Sequence, residues 1–168
     1  EQEIDARVDE LLEVALSTDK AIQTAPKKFD EAAHHQLAKR AAAESIVLLK
    51  NEDGILPLNP CRKVTLIGDF VCTPRYQGAG SSMVNPTRLD SLADVAEAAG
   101  LNLIGYCSGY ERSGKPNKAY LAEAVAQAKL ADIVILCIGL DESSESEGLD
   151  RTHICIPAVQ KELLDAVT

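Results

Sequence analysis

The sequence has 168 residues, of which 46% are apolar and 4% aromatic, with no Trp and a formal net charge of −9. An acidic surface of this kind repels phosphate backbones and argues against nucleic acid as a partner. No apolar run approaches the ~18 residues of a membrane span, and the length allows one domain or a domain with an appendage.

In chain order, residues 4–16 predict a helix, because Ile4, Val8, Leu11, Leu12 and Ala15 recur at helical spacing. Residues 18–29 are polar, contain Pro26 and read as a linker. A second helix is expected from Asp30, a suitable N-cap, to about Lys50, with Leu37, Ala41, Ile46, Leu48 and Leu49 on its buried side. Asn-Glu-Asp-Gly at 51–54 stops it. The pattern then changes. Short aliphatic runs at 64–68, 101–106 and 132–140 predict strands. Helical stretches at 90–99, 117–130 and 157–167 separate and follow them, with Gly100 as a C-terminal stop and Pro157 at a tolerated opening position.

Alternating strands and helices predict an α/β fold: a three-layer α/β/α domain with a mainly parallel sheet, preceded by linker helices. The near-continuous apolar strands agree, since parallel strands are covered on both faces. Three strands make a small sheet, and the chain starts at Glu1 without Met or a signal-like segment and ends at Thr168 within a helical pattern. Both ends are therefore expected to be cut from a longer protein, leaving the sheet incomplete. The five cysteines are odd in number and none has metal-ligand spacing. They predict reduced thiols, a cytoplasmic location and no metal site.

Ligands of open α/β sheets bind beyond the carboxyl ends of the strands. That rule nominates the loops at 69–89, 107–116 and 140–153, and a 2-1-3 strand order would bring the first and third into one crevice. The first loop carries Gly78, Gly80, Ser81 and Ser82. Gly-Ala-Gly-Ser-Ser-Met is not a dinucleotide fingerprint and does not directly follow the strand, so a nucleotide is not expected. A simple glycine-rich turn is the plainer reading. The third loop holds Asp141, Glu142, Glu145, Glu147 and Asp150, closed by Arg151. Dense carboxylates usually form a solvated face. At a strand end, however, like charges raise a carboxyl pKa and can make it a general acid, while Arg151 is placed to keep a neighbour such as Asp150 ionised. His34 and His35 point different ways on a helix and are poor joint ligands. His153 follows the acidic loop and is within reach of the crevice.

Several stretches together resemble glycoside hydrolase family 3: AAAESIVLLKNEDGILPL at 41–58, KVTLIGDF at 63–70, PRYQGAGSSMVNP at 74–86, DIVILCIGLDESSESEGLDR at 132–151 and IPAVQKELLDAV at 156–167. The resemblance covers roughly 30–168 and points to the start of that family's C-terminal α/β domain. Residues 1–29 resemble the last helix of its barrel domain plus the linker. The resemblance implies a retaining β-glycosidase, β-glucosidase-like, acting on terminal β-D-glucosides without a cofactor. In two-domain relatives the nucleophile is an Asp of the barrel, absent here. The acid/base is a Glu followed by Gly and then Asp-Arg, a pattern that Glu147-Gly148-Leu149-Asp150-Arg151 fits. Ser81 falls where a family serine touches the bound sugar. The implied partners are a β-glucoside or oligosaccharide and the missing barrel. The isolated chain is expected to be inactive and to self-associate through the uncovered edge of its third strand. The competing reading is a non-catalytic or receiver-like α/β binding module, with Asp69 and Asp141 as a loose acidic pocket.

Overall fold

The computed structural model describes residues 2–25 and 28–168; Pro26 and Lys27 of the expected linker lie outside the described residues. Contacts divide the chain into two units, Glu1–Leu48 and Leu49–Thr168. The unit that holds the sheet begins at Leu49.

The first unit contains helices α1 (Gln2–Thr24) and α2 (Glu31–Ser45). Helix α1 runs further than its apolar stripe because residues 17–24 contain no Pro or Gly to interrupt it. Helix α2 starts as expected: the Asp30 side chain accepts from the Ala33 N–H at 3.0 Å. It ends five residues early, at Ser45, where Ile46 turns extended (φ −74°, ψ 126°) and begins a β-branched and aliphatic run that leaves the helix. Neither helix buries a residue among those described, so the expected apolar faces are exposed. An amphipathic stripe shows where a helix wants a partner, and this unit supplies none. No helix among the described residues is long and apolar enough to cross a membrane.

The second unit contains β1 (Lys63–Ile67), α3 (Leu92–Ala96), β2 (Asn102–Cys107), α4 (Lys118–Ala128), β3 (Ile133–Leu136) and α5 (Ala158–Val167). The sheet is parallel throughout, in the order β2-β1-β3. Central β1 is fully buried from Val64 to Ile67. Its alternation supplies both cores. Ile67 packs with Cys107, Tyr110, Ala124, Val159 and Leu163 beneath α4 and α5. Val64 and Leu66 pack with Val71 and Ala96, next to Leu92 and Ala93 of α3. These are the three layers expected of an α/β/α domain.

Strand β3 is shorter than its apolar run. Beyond Leu136 the sheet makes one more bond, from the Cys137 N–H to the Ile67 carbonyl at 2.7 Å, and the main chain of Gly139 then pairs with the buried amide of Gln160 on α5: the Gly139 N–H donates to Oε1 and its carbonyl accepts from Nε2, both at 2.8 Å. The Tyr110 hydroxyl donates to the Cys137 carbonyl at 2.8 Å. Side chains thus take over from the sheet where the strand opens into its loop. At the end of β1, Gly68 has φ +129°, and a Cβ there would meet the Cys137 carbonyl oxygen at 2.1 Å, so only glycine fits.

The two units differ in what their leucines do, which predicts a contrast. Leu163→Ala, which empties a fully buried site, is expected to cost about 2–5 kcal/mol. Leu11→Ala, at a position 72% exposed, should stay within about 0.5 kcal/mol. Urea unfolding followed by tyrosine fluorescence checks this, because all four tyrosines lie in the second unit. Equal effects would contradict the assignment of the core.

Candidate active site

Because β1 and β3 are neighbours, the loops leaving their carboxyl ends meet, as the strand order requires. The loop after β1 is folded by its own side chains. Gln77 Oε1 accepts from the Val84 N–H at 2.9 Å while Nε2 donates to the Val84 carbonyl at 3.1 Å. This closes a turn with Gly80 and Ser81 inside it. The loop after β3 reverses at Gly148, which has φ +75°, and the Leu149 N–H donates to the Ser146 carbonyl at 3.0 Å. A glycine after Glu147 is what lets this tight reversal present the preceding carboxylate.

The two turns are joined by the two residues singled out in the sequence. The Ser81 N–H donates to Glu147 Oε2 at 2.6 Å, and the Ser81 hydroxyl donates to the same oxygen at 2.5 Å. The Glu147 N–H donates to the Ala79 carbonyl at 3.1 Å. Gly80 lies under this contact with φ +109°, and a Cβ there would stand 2.5 Å from Glu147 Cβ. An open groove of about 500 Å³ runs beside the pair, between Arg75, Tyr76, Gln77 and Gly78 on one side and Glu145, Ser146 and Glu147 on the other.

Three other carboxylates of the acidic run, Asp141, Glu142 and Glu145, have donors. Asp141 accepts from the hydroxyls of Ser143 and Ser144 and from the Ser144 N–H. Glu142 accepts from Arg112 Nε and Nη2, at 3.3 and 2.9 Å. Glu145 accepts at its carboxylate and its carbonyl from Arg75, at 3.4 and 3.0 Å. Arg75 and Arg112 come from the loops after β1 and β2 and are the cations the sequence reading missed. Arg151, the nearest cation along the chain, does not pair with Asp150 among the described residues. Arg75 stands inside the stretch quoted for the family resemblance, so that signal was available. Arg112 carried no local signal.

The expectation that crowded carboxylates would push Glu147 upward is corrected. The Ser81 hydroxyl and then its N–H hold the Glu147 carboxyl below its usual 4.5, outweighing desolvation. Glu142 is lowered too, first by its own main-chain N–H and then, against desolvation, by Arg112. For Asp141, desolvation raises the value, but the bonds from Ser144 and Ser143 and the charge of Arg112 together lower it. Like charges fail to dominate at Asp141, Glu142 and Glu147 because each of the three accepts from donors of its own.

Asp69, the residue proposed for a receiver-like pocket, is tied to Arg112 at 2.8 Å. His153 lies on another cavity, of about 330 Å³, with Arg112, Asp141, Asp150 and Arg151. His34 stacks on Phe29 in the first unit, with ring centroids 5.2 Å apart. Among the described residues no group of three or more His, Cys, Asp or Glu is placed to hold a metal.

The contact between Ser81 and Glu147 predicts a titration. A carboxyl lowered by folding keeps its contact above the usual 4.5 and loses it as pH falls through the lowered value. Ser81→Ala should move the carboxyl titration of Glu147 upward, toward 4.5 but short of it, since the main-chain N–H remains. Carbon-detected NMR of the side chain reads this directly. An unmoved titration would mean that the hydroxyl does not hold Glu147.

Comparison with known proteins follows the same residues. The glycosyl hydrolase family 3 C-terminal domain model matches residues 46–168. Thermostable beta-glucosidase B of Acetivibrio thermocellus is 47% identical over 145 residues, covering 83% of this chain and 19% of that protein. An exo-alpha-(1->6)-L-arabinopyranosidase of Bifidobacterium breve is 38% identical over 175 residues, covering 98% of this chain and 23% of that protein. The crystal structure of a Bifidobacterium adolescentis GH3 beta-glucosidase superposes with a TM-score of 0.83 at 43% identity, over 93% of this chain and 23% of that one. The chain spans about a fifth of the length of these relatives. With the fold, the order of its motifs and the model match in agreement, the chain belongs to glycoside hydrolase family 3, as a C-terminal α/β domain with the helices that precede it.

Proposed function

We propose that the protein carrying this chain is a retaining β-glycosidase that hydrolyses terminal β-D-glucosides, with Glu147 as general acid/base and Ser81 as part of the sugar site. The observation that carries the reading is the Glu147 carboxylate at the edge of an open groove, fixed by two donors from Ser81. Family membership supports the reaction class. The relatives, named as a beta-glucosidase and an arabinopyranosidase, share this unit yet differ in the sugar they are named for. That difference supports placing the choice of sugar outside it.

Retention requires two carboxyl groups about 5 Å apart across the scissile bond. In this reading a barrel domain of the same chain supplies the second, an Asp nucleophile. Glu147 gives its proton to the glycosidic oxygen as that bond breaks, and the nucleophile takes the anomeric carbon. Glu147, now ionised, then draws a proton from the water that releases the sugar. The first step needs Glu147 protonated, whereas Ser81 alone favours the carboxylate. A facing nucleophile carboxylate and the exclusion of water both raise a carboxyl pKa, so docking of the barrel and substrate supplies the proton-holding state. Ser81 serves both states, since its hydroxyl donates to the carboxylate and can accept from the acid.

The test uses the full-length protein. Glu147→Ala should lower kcat/KM for an alkyl β-glucoside by roughly 10²–10⁴-fold, the usual contribution of a positioned acid. An activated aryl β-glucoside should lose far less, and azide should restore turnover by standing in for the base-activated water. The 168-residue chain alone should be inactive in both assays, because it carries one carboxylate of the two. An unchanged alkyl-glucoside rate in Glu147→Ala would overturn the assignment.

A further inference from the structure

The Glu147 loop has an anchor that neither the motif nor the sugar chemistry calls for. We infer that Arg112 is a positioning residue for the acid/base: its guanidinium ties the start of the Glu147 loop to the loop after β1 and so holds Glu147 against Ser81. The inference rests on the reading of Glu147 given above and deepens it.

Arg112 stands on the loop after β2, the strand on the far side of β1. Its Nη1 donates to Asp69 Oδ2 and to the Thr73 carbonyl, each at 2.8 Å, both on the loop after β1. Its Nε and Nη2 donate as a fork to the two oxygens of Glu142, on the loop after β3. One side chain therefore joins the loops of all three strands. It is itself held in place: the guanidinium lies over the Phe70 ring at 4.7 Å, and Phe70 packs against the buried cluster around Ile67 and Tyr110. The side chain is only 23% exposed.

The route from Arg112 to Glu147 is short. Glu142 lies five positions before Glu147, and no strand ladder holds the chain between them. Beside the main-chain bond from Glu147 to the Ala79 carbonyl, side chains hold the path of that segment: Arg112 on Glu142, Arg75 on Glu145, and Ser81 on Glu147. An ordinary exposed ion pair contributes little and constrains less. Three acceptors on two loops, a bidentate fork and a covered face make this one different. Lysine would keep the charge but lose the fork and the stack.

The experiment compares Arg112→Met, Arg112→Lys and Glu142→Gln with Glu147→Ala in the full-length protein, measuring kcat/KM on an alkyl β-glucoside and on a 2,4-dinitrophenyl β-glucoside. A misplaced proton donor hurts only the substrate that needs the proton. Arg112→Met should therefore lose roughly 10-fold or more on the alkyl substrate and less than about 3-fold on the activated one, an effect smaller than removing the acid itself. Arg112→Lys should fall between Arg112→Met and the parent. Glu142→Gln should move the same way by a smaller factor, and it decides the matter if Arg112→Met does not fold. Equal losses on both substrates, or no loss in Glu142→Gln and folded Arg112→Met, would overturn the inference. If Glu147→Ala shows no dependence on the leaving group, the acid/base reading fails first. If Glu147→Ala shows it and the Arg112 and Glu142 variants do not, only the role of Arg112 fails.

Discussion

Ser81 gives two donors, a main-chain N–H and a hydroxyl, to one oxygen of Glu147. These residues are 66 positions apart, and the contact exists only because β1 and β3 are adjacent in the sheet. The rest of the site follows from it. Gly80 must lack a Cβ because Glu147 occupies that space. Gly148 must reverse the chain so that the carboxylate faces the first loop. The fold's contribution to chemistry is thus a register: parallel pairing of two strands delivers two loops at one end, and a serine on one meets a carboxylate on the other.

The same end of the sheet carries a concentration of negative charge that would be costly if left unpaired. Asp69, Asp141, Glu142, Glu145 and Glu147 all gather there, and each has a donor. Arg112 serves Asp69 and Glu142, Arg75 serves Glu145, and serines serve Asp141 and Glu147. This division of donors distinguishes Glu147 from its neighbours. Asp141 is held by serine hydroxyls and an amide as well, but of the carboxylates on neutral donors only Glu147 lines the groove beside Ser81. A neutral partner can accept a proton bond as well as donate one, whereas a guanidinium can only donate. The carboxylates on arginine can only accept from it, whereas Glu147, once protonated, can donate to the Ser81 hydroxyl.

Much of this was legible in the sequence for identifiable reasons. The three aliphatic runs around Leu66, Leu103 and Ile135 announce strands covered on both faces, and the parallel order follows from the helices between them. The family resemblance singles out Glu147 and Ser81, and the two meet in the structure with Gly148 and Gly80 beside them demanded by backbone geometry. What escaped depends on contacts through space. Arg112 has no local signature, since its acceptors lie 43 and 30 positions away. The direction of the Glu147 shift escaped for the same reason: a run of acids in sequence suggests repulsion, while the donors that cancel it come from other loops. The helices α1 and α2 show the opposite failure. The spacing in α1 does lie on a helix, whereas Ile46, Leu48 and Leu49 of the side expected for α2 lie beyond its end at Ser45; a stripe states only what a helix would bury, and Leu11 and Leu37 remain exposed in their unit.

The central claim is that Glu147 is the group whose protonation governs cleavage of the glycosidic bond. The most direct measurement is the pH dependence of kcat/KM of the full-length protein on a phenyl β-glucoside, whose leaving group still draws on the acid yet departs measurably without it, for the parent and for Glu147→Gln. Loss of activity on the alkaline side reports the free enzyme's essential acid. The account predicts that the alkaline limb of the parent profile disappears in Glu147→Gln while the acid limb, set by the nucleophile, stays. An alkaline limb that persists unchanged without the Glu147 carboxyl would show that another group carries the proton.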